Sequence, residues 1–283
     1  MGYDKDFIHG FEVPLPVLGE RALLDAFDQG RPVEHTRFTL VLNRERGFAV
    51  YTAHNLDGGT LIPAGEIERI DRFKLDPQVP GDIQIDNDRA YRSNPWDRGH
   101  LVQRRSLHWG DRTEAETGDR ESFYWTNITP QHEQLHDTAW GNIEDWMLEF
   151  TDVQDNQASV FTGPVLSPDD PEIVNRPGEL PVRIPAGFWK VIAIKHTGRL
   201  KAAGFLVWQR DYDSATPVQF DPLLEQVRIT TIEFLAGISF GTLRTADPFH
   251  FGAVEVDVPM GLTAAPAARS KPAFVNASSD IVI

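Results

Sequence analysis

Two pairs of β-rich segments, each joined by a tight turn, dominate the pattern of this 283-residue sequence. The first turn is residues 43–46 (Asn-Arg-Glu-Arg), and the second is residues 196–198 (His-Thr-Gly), a composition typical of a β-hairpin. The four paired segments and one further β-rich run are 37–42, 47–52, 187–195, 200–208 and 159–165. Because neither an internal repeat nor a linker interrupts them, the sequence predicts one mixed α/β domain.

Helical periodicity is present at two places. It predicts a helix over residues 20–29 and another from about residue 130 to 150, where large apolar side chains recur three and four positions apart. Residues 227–240 are apolar and fit either a strand or a helix. Residues 61–98 are polar, with scattered Pro, Gly and Asp, and a loop of this length within a compact domain is typical of an active-site segment.

Cysteine is absent from the sequence. Its absence excludes disulfide bonds, thiolate nucleophiles, zinc fingers and iron–sulfur clusters. No run of about eighteen apolar residues is present, so no membrane-spanning helix is predicted. The first residues also lack the basic and apolar regions of a signal peptide. These features predict a cytoplasmic protein with no membrane association, or a domain cut from a longer chain.

The formal net charge of −15 at pH 7 argues against a polyanionic partner, because nucleic-acid-binding proteins usually carry a basic surface. The charge is nevertheless uneven. Residues 66–112 contain nine basic and nine acidic side chains, and eight of the nine basic residues are arginine, whose planar guanidinium matches phosphate geometry. This segment fits either an ordinary mixed-charge surface or a locally basic cleft in which a metal ion neutralises further phosphate charge.

Two short strings suggest hydrolytic chemistry. Residues 237–241 (Gly-Ile-Ser-Phe-Gly) match the nucleophile-elbow pattern, but no helix start of useful length follows and only His250 lies downstream. A tight turn closing a helix is therefore the favoured interpretation. Residues 132–136 (His-Glu-Gln-Leu-His) match the zinc-binding pattern of metalloproteases, in which two histidines four residues apart share one helical face. A third ligand at the expected spacing is missing, so a zinc peptidase is kept as a less favoured alternative.

Residues 97–100 (Asp-Arg-Gly-His) carry a stronger signal because of the motifs around them. The accompanying motifs, in chain order, are 69–77, 123–131, 140–144, 161–165, 188–194 and 203–209. Together they resemble the DNA/RNA non-specific endonuclease family, the ββα-metal nucleases, over roughly residues 36–240. The ordered set is far more specific than any one motif.

The resemblance implies an α+β fold, the ββα-metal nuclease fold, with a central antiparallel sheet, flanking helices and long loops. It places the endonuclease domain at residues 36–262, between an N-terminal extension of residues 1–35 and a C-terminal tail of residues 263–283. The interval between His100 and Asn127 is a few residues longer than in the family and predicts a loop excursion. The implied activity is metal-dependent hydrolysis of phosphodiester bonds in DNA and RNA without sugar specificity.

The resemblance also implies catalytic roles for individual residues. His100 is implied to be the general base that activates water, and an imidazole with an ordinary pKa near ~6.5 is largely neutral at pH 7. Arg98 and Arg69 are implied to contact the phosphate and stabilise the transition state, with a surface ion pair as the alternative for either one. Asn127 is implied to support the active-site geometry, and Asp97 to orient its neighbours.

A divalent metal ion in this family is held by one Asn side chain and by waters, one of which is fixed by a Glu eight residues later. Glu144 occupies the position of that catalytic Glu, but His136 stands in place of the Asn. An imidazole ligand favours transition metals over Mg²⁺, so the sequence predicts a divalent ion, Mg²⁺ or Mn²⁺, with a transition metal favoured by His136. The replacement leaves open a metal held by other oxygens, or a nucleic-acid-binding or regulatory module with impaired catalysis.

DNA and RNA are the expected partners. Because contacts to phosphate position a nucleic acid without reading it, and no base-reading motif is present, we expect little sequence specificity. A nuclease in the cytoplasm endangers the cell's own genome, so restraint by an inhibitor, a fused sensor domain or a homo-oligomer is expected.

Overall fold

The computed structural model consists of strands and helices connected by long loops. The residues that it describes are 1–92, 94, 96–132, 135, 140–153, 156–209, 223–250, 273–275 and 280–283. The strands are β1 (Val17–Leu18), β2 (Val33–His35), β3 (Phe38–Leu42), β4 (Ala49–Asp57), β5 (Trp96–His100), β6 (Ile128–His132), β7 (Gln157–Val165), β8 (Glu172–Ile173), β9 (Val182–Arg183), β10 (Gly187–His196), β11 (Arg199–Trp208), β12 (Leu224–Val227), β13 (Ile238–Ser239) and β14 (Ala273–Phe274). The helices are α1 (Glu20–Leu24), α2 (Arg112–Ser122), α3 (Gly141–Val153) and α4 (Ile229–Ala236). Shorter helical turns cover Phe27–Gly30, Gly58–Thr60, Asn87–Tyr91, Arg104–Leu107, Trp125–Asn127 and Gly241–Ala246.

Eight of these strands form one antiparallel sheet in the order β14-β12-β11-β10-β7-β4-β3-β2. Both predicted hairpins are present, since β3 pairs with β4 and β10 pairs with β11. In the second hairpin Thr197 and Gly198 have positive φ values of 50° and 77°, which give a turn whose twist matches that of the flanking strands. The run predicted over 159–165 lies within β7, between β4 and β10. The expected central antiparallel sheet is therefore confirmed.

Each face of this sheet is covered by its own hydrophobic core, because side chains along a strand alternate between the two faces. On β10, Phe188 and Ile192 belong to the core that includes side chains of α3. Trp189 and Val191 belong to the opposite core, which includes side chains of α4. The large sheet is thus the middle of three layers, and β10 is buried along most of its length.

Segments near both ends of the chain contribute to the sheet and its cores. Ile8 and Val13 are buried in the core beneath α4, and β2 pairs with β3 at one edge. At the other edge β14 pairs with β12, so part of the predicted tail adds a strand to the sheet. Residues 251–272, where the predicted domain ends and the tail begins, lie outside the described residues.

A two-stranded antiparallel ribbon, β5 with β6, precedes helix α3 and completes a ββα unit. The prediction of a helix from about residue 130 is wrong at its start, because residues 128–132 form strand β6. Pairing with β5, from Trp96 opposite His132 to His100 opposite Ile128, overrides the local helical periodicity. Helix α3 occupies the later part of the predicted segment.

The interval between His100 and Asn127 is not a simple loop excursion, because it contains helix α2. Asp111 caps this helix by accepting a hydrogen bond from the Glu114 backbone N–H at 3.0 Å. No helix among the described residues has the length and apolar character needed to cross a membrane.

The segment that fits either a strand or a helix contains both, with the end of β12 followed by α4. Helix α4 ends at Gly237, which has the left-handed backbone (φ 65°) that closes many helices. Ser239 donates to Glu233 Oε1 at 3.2 Å. The favoured interpretation is confirmed at Gly237, which closes the helix, whereas residues 238–239 form strand β13 and a short helical turn begins at Gly241.

Candidate active site

His100 is the last residue of β5 and lies among aromatic rings. Its ring centroid is 4.9 Å from that of Phe123, edge-on, and 5.9 Å from that of Phe73. The residue as a whole keeps some solvent contact, but its Nε2 is buried and has no hydrogen-bond partner among the described residues. Burial, and next the positive charge of Arg69, lower the pKa of His100 to about 3. The ordinary pKa expected from the sequence is therefore too high for this site, and His100 is neutral at physiological pH.

The strand conformation of residues 97–100 determines which of their side chains act together. Arg98 and His100 are two positions apart, so they share one face of the ribbon. Gly99 between them faces the adjacent strand so closely that a side chain there would collide with that of Gln131. Asp97 is exposed and lies opposite Gln131 in the pairing with β6. The ribbon thus brings one cation and one imidazole to the same side.

Phe73, from the polar segment 61–98, contacts the side chains of both Arg98 and His100. Its ring lies 5.3 Å below the guanidinium carbon of Arg98, within range of a cation–π interaction. Phe73 stacks on Trp125 at 5.1 Å, and Trp125 stacks in turn on Tyr91 at 5.5 Å. Trp125 is buried between the rings of Phe73 and Tyr91, so it supports Phe73 and has no free face on which a nucleic-acid base could stack.

Arg98 is oriented by a neutral partner. Its Nη2 and Nε donate to Asn87 Oδ1 at 2.5 and 3.1 Å. Asn87 opens a helical turn that Asp86 caps by accepting hydrogen bonds from the backbone N–H groups of Asp88 and Arg89. Within the described part of the chain Arg98 forms no ion pair, so its positive charge is available to an anion.

Arg69 is close enough to His100 for its positive charge to lower the pKa of the imidazole. Its Nε donates to Asp71 Oδ1 at 2.6 Å, and both side chains are more than half exposed. The ion-pair alternative considered for Arg69 is thus realised in this geometry. An exposed pair contributes little to stability, so a phosphate can compete with Asp71 for the guanidinium.

Asn127 holds the chain that follows His100. It is fully buried, and its Oδ1 accepts from the Val102 backbone N–H at 2.9 Å. Its Nδ2 donates to the carbonyls of Val102 at 3.2 Å and Ser122 at 2.9 Å, and its own carbonyl accepts from the Leu101 N–H at 3.0 Å. Three of these hydrogen bonds fix the backbone that follows β5, and the fourth connects it to the end of α2.

Glu144 lies in the first turn of α3 and is only 4% exposed. Its Oε1 accepts a hydrogen bond from Lys190 Nζ of β10 at 2.8 Å. Side chains of α3 share one hydrophobic core with Leu101 and Val102, the residues that follow His100. Helix α3 is therefore anchored to the same segment that positions the imidazole.

The sequence profile of the DNA/RNA non-specific endonuclease family matches residues 24–245. The chain belongs to this family. The nuclease of Serratia marcescens is 31% identical over 208 residues, which cover 71% of each chain. The uncharacterized protein y4fB of Sinorhizobium fredii is 35% identical over 241 residues, 78% of this chain and 34% of that protein.

A solved structure shares the fold. One chain in the crystal structure of the EndoG/EndoGI complex matches with a TM-score of 0.58 and 21% identity, covering 77% of this chain and 89% of that chain. The predicted ββα-metal nuclease fold is therefore confirmed. The chain spans only 34% of the length of the y4fB protein and about half the length of several other curated relatives.

A metal ion in this family needs few protein ligands, and the residues present are compatible with that. The described residues contain no group of three or more His, Asp or Glu side chains that could enclose an ion. Glu144 has its charge compensated by Lys190, so it is suited to accept a hydrogen bond from a metal-bound water. His136, the predicted ligand, lies outside the described residues, and both metal-site assignments stay predictions.

The zinc-peptidase alternative required two histidines on one helical face. His132 is instead the last residue of strand β6, where its backbone N–H donates to Gln209 Oε1 at 3.1 Å. The spacing of four residues therefore does not place it on a helix with His136, and the structural premise of the alternative is wrong.

The sequence did not predict three residues of the site: Phe73, Asn87 and Lys190. Nothing in the local sequence marks Asn87 as the partner of Arg98, because a folded loop brings them together. Phe73 lies within the motif 69–77, but its contact with His100 depends on that same loop. Lys190 did give a signal, since it is a lysine within the otherwise apolar run of residues 187–194.

Proposed function

We propose that this chain is a metal-dependent endonuclease that hydrolyses phosphodiester bonds in DNA and RNA without sugar specificity. Membership of the family supports a nuclease. The observation that carries the residue roles is the buried Nε2 of His100, which has no hydrogen-bond partner among the described residues, with Arg69 close enough to lower its pKa and Arg98 on the same face of the ribbon. A neutral base next to two cations suits the attack of water on an anionic phosphodiester.

His100 is the proposed general base, and its low pKa is caused first by burial and next by the charge of Arg69, which substrate can offset. A base works best when its pKa lies near the working pH, and about 3 is well below it. Part of the lowering comes from the charge of Arg69. A bound phosphodiester offsets that charge, so substrate raises the pKa of His100 and strengthens the base where it is needed.

Arg98 and Arg69 are proposed to hold the phosphate and to stabilise the charge that builds up on its oxygens. Phe73 and Asn87 keep the Arg98 guanidinium in place before substrate arrives. A divalent ion, when bound, would supply charge stabilisation for the phosphate and for the leaving oxygen. Glu144 is proposed to orient a water of that ion, with His136 as the proposed ligand.

Cleavage of supercoiled plasmid, linear DNA and single-stranded RNA, each with Mg²⁺ and with Mn²⁺, tests the proposal. We expect nicking of the plasmid, a smear ending in short fragments from linear DNA, and degradation of the RNA. Loss of cleavage on addition of EDTA is the control. A protein that binds these nucleic acids but cuts none of them with any divalent ion is a binding module, and the proposed activity is then wrong.

Replacing Arg98 by alanine should lower kcat for DNA cleavage about tenfold or more and change KM less, because a hydrogen bond to a charged group contributes roughly 1.5 kcal/mol or more. Steady-state kinetics on a short duplex measure both constants. Arg199→Ala, which removes an exposed guanidinium from the β10–β11 hairpin, should match wild type. A raised KM with an unchanged kcat would instead make Arg98 a substrate anchor.

The metal preference should depend on His136. With imidazole as the ligand, the cleavage rate should be higher with Mn²⁺, Co²⁺ or Ni²⁺ than with Mg²⁺. His136→Asn restores an oxygen ligand, so it should shift the preference towards Mg²⁺. DNA cleavage rates at saturating concentrations of each ion measure this preference for wild type and variant. If the wild type works best with Mg²⁺ and His136→Ala is as active as wild type, His136 is not a ligand.

An inhibitor protein is the restraining partner that we propose in place of a fused sensor domain or a homo-oligomer. The solved structure that shares this fold contains EndoG with EndoGI and is described as showing EndoG inhibition. Expression of the chain in bacteria without a restraining protein should therefore be toxic, and His100→Ala should relieve that toxicity. Equal growth with both forms would contradict the need for restraint.

A further inference from the structure

A buried lysine faces the carboxylate of Glu144. Lys190 lies in the middle of β10, its side chain is wholly inaccessible to solvent, and its Nζ donates to Glu144 Oε1 at 2.8 Å. The ring of Trp140, just before α3, lies 4.6 Å from the same ammonium, measured to the ring centroid. The large sheet thus places the Lys190 ammonium against the first turn of helix α3.

Stability alone does not account for this pair. Two charges lose their hydration on burial, and replacing a buried ion pair with apolar side chains is often neutral or stabilising. Position 190 shares its sheet face with Phe188 and Ile192, so the alternation along β10 would suit an apolar residue there. A lysine at this place points to a role that requires its charge and its hydrogen bond.

Another polar neighbour of Lys190, His54, does not compete with Glu144 for its ammonium. His54 of β4 is fully buried, and neither of its ring nitrogens has a hydrogen-bond partner among the described residues. Burial, and next the charge of Lys190, lower the pKa of His54 to about 3, so this neighbour is neutral. Among the described residues, Glu144 is the hydrogen-bond acceptor and the counter-charge of the Lys190 ammonium.

We propose that Lys190 is a positioning residue of the metal site, which fixes the Glu144 carboxylate in the orientation that holds a water of the bound ion. The inference rests on the proposed function of Glu144 and extends the site from the ββα unit to the central sheet. Residues that orient a metal's immediate surroundings affect affinity strongly, and their removal typically costs about 10- to 100-fold.

Lys190→Met tests this role, because methionine retains much of the length and volume of lysine without its charge. Isothermal titration of the metal-free protein with Mn²⁺ should show binding about 10- to 100-fold weaker than wild type. The KM for DNA should change much less, because Lys190 does not touch the substrate. Lys195→Met is the matched control. It removes an exposed ammonium from the same strand, which contacts the His9 carbonyl, and should retain wild-type affinity.

A double-mutant cycle separates positioning from general destabilisation. If Lys190 acts through Glu144, then Lys190→Met should weaken Mn²⁺ binding little further in a Glu144→Gln background. Wild-type Mn²⁺ affinity in Lys190→Met, or an equal loss in both backgrounds, would overturn the inference. A wild-type protein that binds Mn²⁺ without cleaving DNA or RNA would count against the proposed function, while the affinities still decide the role of Lys190.

Discussion

Replacing His100 by alanine should reduce the rate of DNA cleavage on the order of 10²–10⁴-fold, the usual contribution of a general base. The imidazole has a buried Nε2 without a described partner, so no hydrogen bond of the fold is lost at that atom. We therefore expect the variant to fold. Cleavage of a short duplex under single-turnover conditions measures the chemical step, and circular dichroism establishes that the sheet is intact.

The control for this experiment is His196→Ala, which removes an imidazole from the β10–β11 hairpin, away from the ribbon that carries His100. It should cleave DNA at the wild-type rate. A folded His100→Ala protein that also does so would remove His100 from the mechanism. The proposed roles of Arg98 and Arg69 would then need another base close to them.

The sequence predicted the sheet well because hairpin turns and β-rich runs are local signals. Residues 196–198 form the expected turn, and the strands on either side pair along their full length. The start of the helix was misplaced because its periodicity is also local. Residues 128–132 are decided by a partner strand some thirty positions earlier, which no local pattern reveals.

The site shows the same division between local and distant information. The string 97–100 identified the imidazole and one arginine. The environment of His100 could not be predicted, since Phe73 and Phe123 come from segments on either side of the string. An ordinary pKa was therefore expected for a group that burial keeps neutral. The pairing of Lys190 with Glu144 likewise joins residues 46 positions apart, although the lysine alone was conspicuous within its strand.

The buried, neutral side chain of His54 should make the stability of the fold depend on pH in the acid range. His54 is wholly inaccessible to solvent, and its pKa falls from 6.5 in the unfolded chain to about 3 in the fold. Between these values the unfolded chain binds a proton at His54 and the folded chain does not. Protonation therefore favours unfolding, and the contribution of His54 to stability is complete above pH 6.5 and is lost as the pH falls towards 3.

At pH 5 this loss should amount to about 2 kcal/mol relative to pH 7.5, from about 1.4 kcal/mol for each pH unit below 6.5. The raised pKa values of Asp170 and Asp247 have the opposite effect, because folding favours their protonated forms. A single substitution isolates the histidine. Between pH 7.5 and 5, the free energy of unfolding measured in urea should fall by about 2 kcal/mol less for His54→Leu than for wild type. His9→Leu, a substitution at an exposed position, should retain the wild-type pH dependence. Parallel pH profiles for wild type and His54→Leu would mean that the fold does not lower the pKa of His54, and the predicted effect would then be wrong.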